Sequence, residues 1–256
     1  MAAAGACPSA LRRTTNVPRV FGSLDAYDGV CRNLANKIGI VVCSVEYRLA
    51  PEHRFPCGLE DAVDVIQWAR TCTVLGCDAA TRGLGVCGDS AGGNLAAAAA
   101  QLVKHDVALR VQVLLYPATC AFAMPLWRDP PTPHYKDSMV QQARGIALTA
   151  AVFPWFWTLY LGDPKLAWDE RASPVLAKDF SALPPAVIVT AQGDPLLDEG
   201  REYGAILRRH GVHVDFLHYA DAHHGFLMLE QAAHFDEAFD AVAVAVRRAF
   251  ASAAKL

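Results

Sequence analysis

Three residues of this chain have the types and order needed for nucleophilic chemistry: Ser90, Asp194 and His224. A serine hydroxyl is a poor nucleophile at neutral pH until a base takes its proton. A histidine can take that proton and return it to a leaving group, and a carboxylate can orient the imidazole and stabilise its charged form. Ser90 stands in Gly88-Asp89-Ser90-Ala91-Gly92-Gly93. The short apolar run Gly83–Cys87 before it reads as a buried strand, and the alanine-rich run from Asn94 to Val103 after it reads as a helix. A serine on such a tight turn is a nucleophile elbow, where a side chain at Gly88 or Gly92 would crowd the neighbouring backbone. A Gly-rich turn without chemistry has the same local pattern. Asp194-Pro195 is likewise a common turn opener, and the pair His223-His224 offers two candidate bases.

Other chemistries find less support. The eight cysteines are scattered with no C-x-x-C pair, which favours buried free thiols in a reducing compartment such as the cytoplasm. Cys72 and Cys77 would need further ligands to hold zinc, and the spacing of His210, His213, His218, His223 and His224 matches no ligand pattern. Cys87 lies inside a strand and reads as core. A net charge of −3 without a basic stripe argues against a nucleic-acid partner. No apolar run reaches the length of a membrane span. Residues 1–16 contain Arg12 and Arg13 and no acid, a composition compatible with an organelle transit segment but without the apolar core of a secretory signal. Residues 1–21 are expected to form a poorly defined leader to a single domain over 22–256.

The elements that must position the three residues follow from periodicity. Residues 28–37 read as a helix, and Ile38–Val45 as a central parallel strand, apolar on both faces. Gly58–Cys72 carries Leu59, Ala62, Val63, Ile66 and Ala69 on one helical stripe. Arg110–Tyr116 and Ala186–Ala191 read as strands, as does Val212–Tyr219, with Ala220–Gly225 as its terminal loop. Glu199–His210 reads as a helix closed by Gly211, and Glu230–Ala251 as the last helix. This α/β alternation predicts a mostly parallel sheet with helices on both faces. The three residues then fall in loops at the carboxyl ends of strands, the edge where open α/β sheets bind ligands. Between about 120 and 183 the alternation lapses. That stretch holds Trp127, Trp155, Phe156, Trp157, Tyr160 and Trp168, and reads either as a cap over the strand ends or as a satellite hydrophobic cluster.

Five segments carry a resemblance that covers residues from about 22 to 229. They are Tyr47-Arg48-Leu49-Ala50-Pro51-Glu52, Gly88-Asp89-Ser90-Ala91-Gly92-Gly93-Asn94, Asp194-Pro195-Leu196, Asp198-Glu199-Gly200 and His224-Gly225-Phe226. In this order they resemble the hormone-sensitive-lipase group of α/β-hydrolases, which are carboxylesterases and lipases. The resemblance implies that Ser90 is the nucleophile, Asp194 the triad acid and His224, rather than His223, the base. It implies the backbone N–H of Ala91 as an oxyanion donor, an ester as substrate, no cofactor and no metal. Arg48 and Asp61 are read as structural. No residue is singled out for substrate binding or for an oligomer contact. The group carries a His-Gly-Gly-Gly loop shortly before a segment like Gly22-Ser23-Leu24-Asp25, where this chain has Thr15-Asn16-Val17-Pro18. Proline has no N–H to offer an oxyanion. Loss of one such donor typically costs about 2.7–4 kcal/mol, or roughly 100- to 1000-fold in turnover. With the upstream strands and helices of the group also missing, the expectation is an N-terminally truncated hydrolase, or else a scaffold that binds small molecules without cleaving them.

Overall fold

The computed structural model describes residues 2–3, 24–72, 83–123, 136–149 and 151–252. The strands are β1 (Ala2–Ala3), β2 (Cys43–Ser44), β3 (Leu84–Asp89), β4 (Leu109–Leu115), β5 (Ala186–Gly193) and β6 (Val214–His223). The helices are α1 (Leu24–Ile38), α2 (Cys57–Thr71), α3 (Ala91–Val103), α4 (Asp137–Gln141), α5 (Phe153–Leu161), α6 (Leu197–Arg209) and α7 (Phe235–Ser252). All six strands join one sheet in the order β2-β1-β3-β4-β5-β6, and each neighbouring pair is parallel.

Successive strand residues divide between two apolar layers, as a period of two requires. Val113, Leu115, Val187 and Val189 point to the layer that Leu34 and Ile38 of α1 and Phe239, Val242 and Val246 of α7 complete. Leu114, Val86 and Ile188 point to the other, with Leu59 and Ile66 of α2, Leu95 and Val103 of α3, and Tyr203 and Leu207 of α6. Burial on both faces is why these strands are nearly continuous apolar runs. In α3 the block Ala96–Ala100 is buried throughout, so the helix behind Ser90 packs closely through methyl groups, with Leu95 and Val103 as its larger core side chains.

The structure corrects several boundaries. Ile38 ends α1 instead of opening a strand, Gly39 turns the chain at φ +78°, and among the described residues pairing is confined to Cys43–Ser44. The segment expected at the centre of the sheet is the outermost described strand on that side, flanked only by the two residues of β1. At the other side β6 runs past Tyr219 to His223, because it pairs with β5 up to Gly193↔His223 through a register shift after Ala191. The last helix begins at Phe235, after a 3-10 turn over Phe226–Met228.

Between β4 and β5 the aromatic stretch holds α4, α5 and 3-10 turns over Pro164–Trp168 and Pro174–Leu176. Trp157 is buried, whereas Trp155 and Trp168 are 54% and 56% exposed. The α5 helix is fastened to the loop before α2: Phe55 N–H donates to the Tyr160 carbonyl at 2.8 Å, and Arg171 lies 5.3 Å above the Phe55 ring. That loop is held to α2 in turn by Arg48, whose backbone N–H and guanidinium both donate to the Asp61 carboxylate. Trp127, Cys7, Cys77 and the segment Thr15–Pro18 lie outside the described residues.

Candidate active site

Ser90 occupies the turn between β3 and α3 at φ +50°, ψ −114°, a backbone conformation that L-residues adopt only under constraint. Three backbone hydrogen bonds supply the constraint. Ser90 N–H donates to the Leu115 carbonyl at 2.8 Å, and its own carbonyl accepts from Asn94 N–H at 3.1 Å and Ala118 N–H at 3.2 Å. The turn is so tight that a Cβ on Gly88 would lie 2.0 Å from the Gly92 carbonyl oxygen, so only glycine fits there. Ala91 is the first residue of α3, and its N–H belongs to the positive end of the helix.

Asp194 follows the last residue of β5 and is fully buried. Its Oδ1 accepts from Leu196 N–H at 2.8 Å, which fixes the carboxylate plane, and its Oδ2 lies 2.8 Å from His224 Nδ1. His224 follows the last residue of β6, and its Nε2 lies 2.9 Å from Ser90 Oγ. With Asp194 ionised, Nδ1 carries the ring proton and Nε2 is free to accept from the serine hydroxyl. Burial works to lower the His224 pKa, but the Asp194 charge, the hydrogen bond to it and the Asp89 charge together raise it above the ordinary value.

The structure therefore brings Ser90, His224 and Asp194 into one hydrogen-bonded line. It places His210, His213, His218 and His223 elsewhere. His223 turns Nδ1 to the His224 carbonyl at 2.9 Å, His210 Nδ1 lies 2.9 Å from the Ile206 carbonyl, His218 meets Thr190 and His213 faces Asp215. Among the described residues no cluster of three or more His, Cys, Asp or Glu side chains could hold a metal ion. Cys87 is buried in β3, where burial pushes its thiol pKa up and keeps it protonated.

Two contacts at the site were beyond sequence reasoning. Tyr116, buried at φ +38° just after β4, sets its ring edge-on to His224, with centroids 5.0 Å apart. Tyr27 of α1 donates its hydroxyl to Asp89, the residue before the serine, at 3.2 Å. Tyrosines at the end of a strand and in a helix gave no local signal, since what they touch is set by packing of distant segments.

Known proteins share this arrangement of elements. The pattern of a family described as having the alpha/beta hydrolase fold matches residues 19–228. The carboxylic ester hydrolase LipN of Mycobacterium tuberculosis is 38% identical over 218 residues, spanning 82% of this chain and 55% of LipN. An ethyl acetate hydrolase of Pseudomonas putida is 36% identical over 214 residues, spanning 82% of this chain and 63% of that protein. This chain thus spans between 55% and 63% of the length of these two relatives. Among solved structures, an esterase from Pyrobaculum calidifontis superposes with a TM-score of 0.80 at 39% identity, covering 89% of this chain and 72% of that one. Matched by the family pattern over residues 19–228 and by a 38% identical relative over 82% of its length, the chain belongs to the α/β-hydrolase family.

Proposed function

We propose that this chain hydrolyses carboxylic esters of short to medium acyl length, with Ser90 as nucleophile, His224 as base and Asp194 as the acid that orients it. The observation that carries this reading is the line Ser90 Oγ, His224 Nε2, His224 Nδ1, Asp194 Oδ2, with steps of 2.9 and 2.8 Å across three separate loops. His224 takes the Ser90 proton as Oγ attacks the ester carbonyl, and the carbonyl oxygen gathers negative charge. The Ala91 N–H meets that charge. His224 then protonates the departing alkoxide, leaving an acyl-serine. Water, activated by the same imidazole, attacks the acyl carbon and releases the acid and the free Ser90 hydroxyl. An ester substrate is in line with relatives named as hydrolases of esters, and the aromatic stretch between β4 and β5 is read as a cap over the strand ends.

Hydrolysis of p-nitrophenyl butyrate by the chain and by Ser90→Ala tests the reading. Turnover that disappears in the variant supports it, and equal turnover in both overturns it. Labelling of Ser90 by a fluorophosphonate distinguishes a base-activated serine from the hydroxyl of a small-molecule-binding scaffold, which stays unlabelled.

A further inference from the structure

Glu199 is as fully buried as Asp194, yet no step of the ester chemistry uses it. Burying a carboxyl is costly unless its oxygens find partners. Here Oε2 accepts two backbone N–H groups, from Thr119 at 2.7 Å and Cys120 at 2.9 Å, while Oε1 is buried with no hydrogen-bond partner among the described residues. The Thr119 hydroxyl donates back to the Glu199 carbonyl at 3.2 Å. These partners belong to the segment leaving β4, whose Ala118 N–H donates to the Ser90 carbonyl and whose Ala118 carbonyl accepts from the Asn94 side chain at 2.7 Å. On its other side Glu199 lies in the first turn of α6, where Leu196 N–H caps the Asp194 carboxylate and Leu197 N–H donates to the Asp194 carbonyl. Hydrogen bonds thus pass from the Ser90 backbone, through residues 118–120 and the Glu199 carboxyl, to the turn that carries Asp194.

We propose that Glu199 is a positioning residue: by gripping the Thr119 and Cys120 amides it fixes the span between the Ser90 elbow and the Asp194 loop that His224 must bridge. The inference rests on the reading of Ser90 and Asp194 given above. His224 fills that span with two hydrogen bonds of 2.9 and 2.8 Å. Such bonds tolerate only a few tenths of an ångström of drift. A displacement of about 1 Å in a reacting group can cost on the order of 100-fold in rate.

The test compares Glu199→Gln, which keeps an acceptor oxygen, with Glu199→Leu, which has none, and Glu199→Asp, which withdraws the acceptor by one methylene. Two readouts are taken on folded protein: kcat and KM for p-nitrophenyl butyrate, and the downfield proton resonance of His224 Nδ1–H. Expected for Glu199→Leu is a kcat lower by about 30-fold or more with KM within about threefold, since alignment rather than binding is lost. Its downfield resonance should shift or vanish. Glu199→Gln should keep the resonance and most of kcat. If Glu199→Leu does not fold, Glu199→Asp is expected to show the same two changes in smaller measure. An unchanged kcat and resonance in folded Glu199→Leu or Glu199→Asp overturns the proposal, as does Glu199→Gln behaving like Glu199→Leu. Wild-type protein without Ser90-dependent turnover would defeat the ester reading instead, and the resonance would still decide the role of Glu199.

Discussion

At the residue scale, the role of base proposed for His224 makes its imidazole set the pH dependence of turnover. It must be neutral to accept the serine proton, and the Asp194 charge raises its pKa above the ordinary 6.5 despite burial. The acid limb of kcat/KM should therefore reach half its plateau above pH 6.5 in a pH–rate profile. Asp194→Asn should move that limb to lower pH. It should also cut the plateau by about four orders of magnitude, because an amide no longer holds the productive tautomer. Glu199 makes a separate prediction about stability. Burial pushes its carboxyl up to about 8, against the Thr119 and Cys120 amides and the Lys136 charge, with the Asp194 charge adding to the rise. An acid raised in the folded state holds its proton longer than in the unfolded chain. Its contribution is thus complete at pH values below the unfolded pKa and is lost as pH climbs towards about 8. Glu199→Gln should flatten the fall in Tm over that window, measured by thermal melts at a series of pH values. Ser90 and Asp194 were legible because motif and order together mark them. The choice of His224 over His223 came only with the resemblance, since two adjacent loop histidines look alike until one is seen to face a serine.

Single glycines separate two roles at the scale of the element. Gly88 is required by proximity, because a Cβ would meet the Gly92 carbonyl at 2.0 Å, backbone against backbone. Gly88→Ala should force β3 and α3 apart, costing about 1–3 kcal/mol and carrying Ser90 out of line with His224. Gly211 ends α6 at φ +81° with open space around it, so only its backbone conformation matters. Gly211→Ala should cost about 1–2 kcal/mol with kcat unchanged. Denaturant unfolding and turnover of the two variants check both halves of the contrast. Most helices and inner strands could be read from periodicity, which local burial imposes directly. The strand expected over Ile38–Val45 could not. An apolar run shows which residues favour burial but not whether a neighbour lies alongside to pair with them; here Val41 is exposed, and among the described residues pairing is seen only at Cys43–Ser44. The continuation of β6 to His223 was hidden for the converse reason: a polar sequence was drawn into the ladder by β5.

For the molecule as a whole, the sheet order gives the three residues unequal support. Ser90 follows β3, which has neighbours on both sides, and Asp194 follows β5, which also lies between two strands. His224 follows β6, the outermost described strand on its side, only three of whose ten residues are buried. Outer strands open more readily than inner ones, and local opening spans a wide range of free energies within one domain. Amide hydrogen exchange should therefore be faster along β6 than along β4. On gentle warming the imidazole should leave its partners while β3, α3 and β4 are still in place. The protein would then pass through a state with its circular dichroism nearly intact and its serine silent, and cooling would restore it. Loss of activity with temperature would report the fraying of one margin rather than the melting of the whole.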